Sequence, residues 1–215
     1  MKKLDFKKTK KLLDKYNIAY PISQIVGSEK NAAELSKKIG FPVVLKISSS
    51  SVIHKTEIKG VENNLQDQKQ VVAAYEKLSK IISKKKIKDA DILMQKMVSG
   101  TEIIIGMKRD PQFDVVLLFG LGGVFVEVLE DISFRIAPID NKQAKEMVQE
   151  IKGYKILKGV RGKKPVKISA LVNLLTKISK LALENKNIQE IDFNPVIADE
   201  KSALVVDMRI LEHEK

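Results

Sequence analysis

Two carboxylates and an amide near the end of the chain are spaced so that they could bind a metal ion. Asp192 and Asn194 alternate along the segment 189–198, and Asp207 belongs to a second segment, 203–209. Alternation of this kind is typical of β-strands, and the polar residues between the two segments favour a hairpin turn. Oxygen ligands of these types suit Mg²⁺ better than zinc.

The turn between the two segments predicts their register. If Ala198 pairs with Ala203, then Ile197 lies opposite Leu204, Asn194 opposite Asp207, and Asp192 opposite Arg209. Directly opposed residues have Cβ atoms about 4.5–5.5 Å apart, so one ion could contact the oxygens of Asn194 and Asp207. The polar face also carries Glu190, and the apolar face carries Ile191, Phe193, Pro195, Ile197, Leu204, Val206 and Met208. A solvated face of an ordinary hairpin is the alternative interpretation.

Two basic residues in the first half of the chain could act on phosphate. Lys46 interrupts the nearly continuous apolar strand 41–47, where a buried charge is costly unless it reaches an anion or water. It is therefore either an edge lysine that extends outward or a ligand for phosphate. His54 lies in the polar loop 48–61. It is either a solvated loop histidine or a nucleophile toward a phosphoryl group.

A glycine-rich segment, Gly120-Leu121-Gly122-Gly123, follows the buried strand 115–119. A dinucleotide-binding turn would open a helix, but residues 124–129 have the pattern of another strand, which excludes a Rossmann fold. Glycines still allow a backbone to approach phosphate closely. Arg135, between apolar neighbours, is a candidate phosphate clamp.

Composition excludes several classes of function. The chain of 215 residues has no cysteine, which excludes disulfides, a thiolate nucleophile and sulfur-ligated metals. It has no apolar run of the roughly 20 residues that a membrane span needs, and a polar N-terminus, so we expect a cytoplasmic protein. The net charge of +12 could indicate nucleic acid, but the excess is nearly all lysine and only 5% of residues are aromatic. We favour a solvated lysine-rich surface that attracts small anions.

Hydrophobic periodicity predicts the elements that position these residues. Helices are expected at 4–16, 28–39, 71–82, 142–151 and 168–182, with Ser28 capping the second and Gly40 ending it. Strands are expected at 19–25, 41–47, 91–98, 103–108, 115–119, 189–198 and 203–209.

Seven segments in this order resemble the β subunits of ADP-forming acyl-CoA synthetases, which are ATP-grasp proteins related to the nucleotide-binding subunit of succinyl-CoA synthetase. The segments are Phe41-Pro42-Val43-Val44-Leu45-Lys46, His54-Lys55, Gly100-x-Glu102, Phe119-Gly120-Leu121-Gly122-Gly123, Phe134-Arg135-Ile136-Ala137-Pro138, Arg161-Gly162 and Asp192-x-Asn194-Pro195. The resemblance covers essentially the whole chain. It implies an α+β (α/β) ATP-grasp fold with two lobes that grip a nucleotide. We expect residues 1–93 to form the first lobe and residues 94–215 the hinge and the second lobe.

The resemblance also implies roles for individual residues. Those expected to bind ATP or ADP are Lys46, Met94, Gln95, Lys96, Met97, Val98, Glu102, Gly122, Gly123 and Arg135, with the adenine against 94–98 and Lys46 on the phosphates. Asn194 and Asp207 would bind Mg²⁺. His54 would carry the phosphoryl group, and Asp192 would accept its ring N–H.

The family reaction converts acyl-CoA, ADP and phosphate into the carboxylic acid, CoA and ATP. The resemblance implies a separate α subunit, in an α₂β₂ assembly, that binds CoA and carries a catalytic histidine. His54 would relay the phosphoryl group from that histidine to ADP. Two alternatives are a free-standing ATP-grasp ligase that forms an acyl phosphate and, from the positive charge alone, a basic nucleic-acid-binding protein.

Overall fold

Two antiparallel sheets and the helices packed on them make up most of the computed structural model, which describes residues 1–51, 58–123, 130–160, 162 and 164–213. The chain divides into two compact units. The larger unit comprises Met1–Leu4, Lys8–Tyr20 and Ser99–Lys215, and the smaller unit comprises Asp5–Lys7 and Pro21–Val98.

The smaller unit contains a sheet with two helices packed on one face. Its strands are β2 (Ser23–Val26), β3 (Val43–Ser48), β4 (Val61–Leu65) and β5 (Asp91–Lys96), in the spatial order β2-β5-β3-β4 among the described residues. Its helices are α2 (Glu29–Ile39) and α3 (Gln68–Lys84). Ser28 caps α2 by accepting a hydrogen bond from Asn31 N, and Gly40 ends the helix at φ 81°, as predicted.

Side-chain alternation in β3 and β5 separates an apolar face from a polar one. Val43, Leu45 and Ile47 point into a core that also contains Ile92 and Met94. The residues between them, including Lys46 on β3 and Gln95 on β5, therefore lie on the other face of the sheet.

The larger unit contains a second sheet and the remaining helices. Its strands are β1 (Lys2–Lys3), β6 (Thr101–Asp110), β7 (Asp114–Leu121), β8 (Ile132–Ile136), β9 (Ile188–Ala198), β10 (Ala203–Val205) and β11 (Met208–Glu212). Over the described part of the chain their order is β1-β11-β9-β6-β7-β8, and β10 pairs with β9. The helices are α1 (Phe6–Lys15, of which Phe6 and Lys7 are assigned to the smaller unit), α4 (Asn141–Glu150), α5 (Tyr154–Leu157) and α6 (Ile168–Glu184). None of the described helices is long and apolar enough to cross a membrane.

The observed division of the chain differs from the predicted boundary at residue 93. Strand β5 pairs with β3 from Asp91 to Lys96, so the smaller unit extends to Val98. Residues Lys8–Tyr20 belong to the larger unit because Leu13 and other apolar side chains of this segment pack into its core.

The predicted hairpin has the expected register. Ala203 pairs with Ala198, Leu204 with Ile197, and Arg209 with Asp192. Pairing is interrupted between β10 and β11, where the amide nitrogens of Val206 and Asp207 both donate to the carbonyl oxygen of Pro195.

The prediction of which residues form the apolar face of this hairpin is wrong beyond Phe193. Ile191 and Phe193 are buried as expected, but the next buried residues are Val196 and Ala198 rather than Pro195 and Ile197. The pairing with β6 explains this shift, because Ile103 pairs with Val196 while Ile105 pairs with Phe193. Two residues, Asn194 and Pro195, therefore lie opposite Ile104 alone, which is a β-bulge that reverses the alternation of side chains.

Four of the described elements were not predicted from periodicity. They are the edge strands β1, β4 and β8 and the single-turn helix α5. Each of these elements is at most five residues long, which is too short for a periodic pattern of apolar residues to be recognised.

Candidate functional site

The first part of the candidate site is a group of charged side chains on β9 and β11. Arg209 Nη2 lies 2.7 Å from Glu190 Oε1 and 3.1 Å from Asp192 Oδ2. All three side chains are partly buried, on the side of the sheet away from the core formed by Ile191 and Phe193. Burial raises the pKa of Asp192, and the charges of Glu190 and Asp207 raise it further, while the Arg209 guanidinium lowers it.

A glycine on the neighbouring strand leaves room beside this group. Gly106 pairs directly with Asp192 in the β6–β9 register and carries no side chain that could cover the carboxylate. The pattern of apolar residues did not predict that Gly106 belongs to the site, because its position opposite Asp192 depends on the pairing of strands that are distant in sequence.

The two predicted metal ligands lie at the bulge. Asn194 is one of the two bulged residues and its side chain is exposed. Asp207 lies in the interruption between β10 and β11, and its Oδ1 accepts a hydrogen bond from Met208 N at 2.9 Å. The ladder pairs on either side keep the same register, so Asn194 and Asp207 occupy corresponding positions on the two strands. Bulges often redirect a side chain toward an active site.

The chemistry of these donors fits magnesium. The described residues include no group of three or more His, Cys, Asp and Glu side chains that would form a complete protein site. Mg²⁺ usually binds through one or two carboxylates, with waters and substrate phosphates completing the octahedron. Asn194 and Asp207 can supply two hard oxygens, and the negative charges of Glu190, Asp192 and Asp207 favour a cation here.

Glu102 and the glycine-rich turn form a second part of the site. Gly122 N donates to Glu102 O at 2.7 Å, which places the turn beside the start of β6. A Cβ at Gly123 would lie 3.2 Å from Glu102 Oε2, and this glycine has φ 66°. The positive φ and the close approach of the carboxylate explain why glycine occupies position 123.

Arg135 is not brought together with these residues. Its Nη2 lies 2.7 Å from Glu150 Oε2 on α4, and its Nη1 donates to Phe134 O. Ser133, two residues earlier on the same face, also bonds to α4 through Met147 O. Arg135 therefore lies on the helix-packed side of the sheet, and we leave it out of the proposed site because Glu150 pairs with its charge there.

The smaller unit holds Lys46 in a buried row of polar side chains. Lys46 is 6% exposed, and its Nζ donates to Gln95 Oε1 at 3.1 Å. Gln95 is 1% exposed, and its Nε2 donates to Ser23 Oγ at 2.9 Å. Lys46 is therefore not an edge lysine that extends into solvent.

The other residues of the segment 94–98, which was expected to contact adenine, do not share the orientation of Gln95. Met94 packs in the core of the smaller unit, on the face opposite Gln95. Lys96 Nζ donates to Gly40 O at 3.0 Å and to Phe41 O at 2.8 Å, at the carboxyl end of α2, where a positive charge is favourable. Met97 and Val98 follow the end of β5 and are partly exposed.

The structure thus places the predicted residues in three sets. In the larger unit, Glu102 contacts Gly122 and Gly123, and Asn194 and Asp207 lie near Asp192 on the hairpin. In the smaller unit, Lys46 contacts Gln95. His54 and Arg161, which the resemblance also singled out, lie outside the described residues.

Comparisons with known proteins agree with this description. The sequence matches the ATP-grasp domain family over residues 1–211. It is 44% identical over 206 residues to the acetate–CoA ligase [ADP-forming] I subunit beta of Pyrococcus furiosus, covering 94% of this chain and 88% of the relative. It is also 44% identical to the acetate–CoA ligase [ADP-forming] I of Archaeoglobus fulgidus, with 93% of this chain matching 30% of that longer protein.

The fold is also similar to solved structures of one enzyme, the dinucleotide-forming acetyl-coenzyme A synthetase 1 of Ca. Korarchaeum cryptofilum. Its complex with coenzyme A and Ca-AMPCP superposes with a TM-score of 0.92 at 42% identity, covering 99% of this chain and 94% of that one. A second complex, with Mg-AMPPCP and a phosphohistidine segment that points towards the nucleotide-binding site, gives a TM-score of 0.83 at 40% identity over 98% and 92% of the two chains.

The family match, the identities and the superpositions each extend over nearly the whole chain. This chain therefore belongs to the ATP-grasp family and, within it, to the β subunits of the ADP-forming acetate–CoA ligases.

Proposed function

We propose that this ligase subunit binds ATP or ADP with Mg²⁺ and relays a phosphoryl group through His54 between a phosphohistidine of its α partner and ADP. The observation that carries the proposal is the group on β9 and β11, where Asp192 is held by Arg209 and flanked by the oxygen donors Asn194 and Asp207. This arrangement combines an acceptor for an imidazole N–H with donors for a hard cation.

The bonds made and broken in the transfer step involve only phosphorylated His54 and ADP. In the direction of ATP formation, the N–P bond of phosphorylated His54 breaks and an O–P bond forms to a terminal oxygen of ADP, while the bonding electron pair returns to the imidazole nitrogen. Asp192 would accept the N–H of the other ring nitrogen, which fixes the tautomer and orientation of the ring. Lys46 and the amide of Gly123 would hold the phosphates, since the amide of Gly122 already donates to Glu102 O.

A bound Mg²⁺ would neutralise negative charge on the nucleotide phosphates, with Asn194 and Asp207 as its protein ligands. The Ca-AMPCP and Mg-AMPPCP complexes of the Korarchaeum enzyme support nucleotide and divalent cation as ligands of this chain. The phosphohistidine segment that points towards the nucleotide site of that enzyme supports a histidine carrier.

The beta designation of the Pyrococcus relative supports an α partner for this chain. We propose that the partner binds CoA and supplies the first phosphohistidine, in an α₂β₂ assembly. A relay with two histidines suits an acyl site and a nucleotide site that are too far apart for one transfer.

A phosphorylation assay tests the relay. The full chain is incubated with Mg²⁺ and γ-labelled ATP and analysed for an acid-labile, base-stable label. The chain has only two histidines, so His213→Ala is the matched control for His54→Ala. We expect label in the wild type and in His213→Ala, and none in His54→Ala.

The same variants are then measured in the complete reaction with the α subunit. If His54→Ala keeps full acyl-CoA-dependent ATP formation, the relay is wrong. If the chain alone converts ATP and a carboxylic acid into an acyl phosphate, trapped with hydroxylamine, the free-standing ligase is the better description.

A further inference from the structure

We propose that Gln95, itself held by Ser23, is a positioning residue that fixes Lys46 for binding of nucleotide phosphate. The inference rests on the proposed function, because it takes Lys46 to contact the phosphates. It assigns a role to the Gln95 side chain that is separate from the contact between residues 94–98 and adenine.

The three side chains lie in one row across the smaller sheet. Ser23 on β2 pairs directly with Gln95 on β5, and Gln95 pairs with Val44 on β3. Lys46 is two residues beyond Val44 and therefore on the same face. The bonds from Lys46 to Gln95 and from Gln95 to Ser23, 3.1 and 2.9 Å long, follow this row from the central strand β3 to the edge strand β2.

The hydrogen-bond network fixes the orientation of the Gln95 amide. A serine hydroxyl has one hydrogen, and Ser23 Oγ donates it to Pro21 O at 2.7 Å. Ser23 Oγ must therefore accept from its other neighbour, which places the Gln95 amino group toward Ser23. The Gln95 carbonyl oxygen is then directed at Lys46, where it can only accept from the ammonium.

This arrangement prepares Lys46 for an anion. Lysine has a long, flexible side chain, so ordering it costs free energy that otherwise opposes binding. A buried acceptor that is itself immobilised removes that cost before the ligand arrives. Gln95 is neutral, so it orients the ammonium without cancelling its charge as a carboxylate in this position would.

The test compares binding of a ligand that carries phosphates with binding of one that has the same base and sugar but no phosphates. ATP with Mg²⁺ and adenosine are titrated into the full chain by isothermal titration calorimetry, for the wild type, Gln95→Leu and Gln24→Leu. Gln24 is the matched control, because it lies on β2 next to Ser23 but is exposed and pairs with Met94. For Gln95→Leu we expect the Kd for ATP to rise about 10-fold, typical of a lost hydrogen bond to a charged group, with adenosine affinity unchanged.

A double-mutant cycle identifies the residue through which Gln95 acts. In Lys46→Met, which also weakens ATP binding, the further change Gln95→Leu should have no additional effect on the Kd for ATP. Ser23→Ala removes one hydroxyl at a partly exposed edge position and should weaken ATP binding in the same direction with a smaller factor. It therefore keeps the test decisive if Gln95→Leu fails to fold.

The outcomes separate this inference from the proposed function. Additive effects of Lys46→Met and Gln95→Leu, equal losses for ATP and adenosine, or unchanged ATP binding in both Gln95→Leu and Ser23→Ala would each overturn the positioning role. Absence of ATP binding by the wild type, or full ATP affinity in Lys46→Met, would instead overturn the proposed function itself.

Discussion

Arg209 lies directly opposite Asp192 in the pairing of β9 with β11, and its Nη2 is 3.1 Å from Asp192 Oδ2. The same nitrogen also contacts Glu190, while Arg209 Nε is buried and has no hydrogen-bond partner within the described part of the chain. One guanidinium therefore holds two carboxylates that would otherwise repel each other, and it fixes the direction in which Asp192 points.

Replacing Arg209 should impair phosphoryl transfer more than it impairs folding. We expect Arg209→Met to lower the rate of label transfer by about 10- to 100-fold, the range typical of residues that orient a functional ligand. Arg209→Lys, which keeps the charge but not the planar fork, should be intermediate. Rates are compared with melting temperatures, and a loss of rate that only follows a loss of folded protein would contradict this role.

Removing an oxygen ligand at the bulge should raise the magnesium requirement. We expect Asn194→Ala and Asp207→Asn to shift the Mg²⁺ concentration for half-maximal label transfer upward by about 10-fold, with partial recovery at high Mg²⁺. Asp199→Asn, on the turn of the same hairpin, is the matched control and should leave the requirement unchanged. Equal magnesium requirements in all four proteins, including the wild type, would show that the cation binds elsewhere.

Gly100 should not tolerate a side chain. A Cβ at this position would overlap the carbonyl oxygen of Ala198, which belongs to the backbone of β9 and cannot move aside at low cost. We expect Gly100→Ala to lower the free energy of unfolding by about 1–3 kcal/mol. Gly27→Ala is the matched control, because a Cβ there meets no atom within 4 Å, and it should change stability by less than about 0.5 kcal/mol.

Urea denaturation of the two glycine variants at one pH measures the difference. A Gly100→Ala protein as stable as Gly27→Ala would show that the β6–β9 pairing near Ala198 is looser than described.

The turn of the hairpin should give a pH-dependent contribution to stability. Asp199 Oδ1 accepts from Lys201 N at 2.8 Å and from Ser202 N at 2.7 Å, and these backbone bonds lower the pKa of Asp199 from its usual value. A carboxyl whose pKa is lower in the folded state stabilises it above the unfolded pKa, and this contribution is lost as pH falls through the folded pKa.

Asp199→Asn removes this titration while keeping an acceptor in the turn. We therefore expect wild type and Asp199→Asn to differ most in free energy of unfolding above the ordinary aspartate pKa of about 4, and to converge as the pH falls through the lowered pKa of folded Asp199. Urea titrations at pH 6, 4 and 3 check this. A difference that stays constant from pH 6 to 3 would show that the charge of Asp199 does not matter to the turn.

Local signals in the sequence were sufficient for most elements. The serine cap and terminal glycine of α2, the four-residue turn at 199–202 and the apolar spacing of α6 each involve residues close together in the chain. The hairpin register, and with it the position of Arg209 opposite Asp192, followed from counting outward from that turn.

The sequence by itself thus determined the family, the main elements and the residues that could bind metal and phosphate. The tertiary structure decided which face each residue occupies and which partner it meets. The bulge at Asn194 arises from pairing with β6, Arg135 turns toward Glu150 on α4, and Lys46 meets Gln95 from a strand 49 positions away. Alternation within one strand cannot reveal these relationships, because each depends on contacts between segments that only folding brings together.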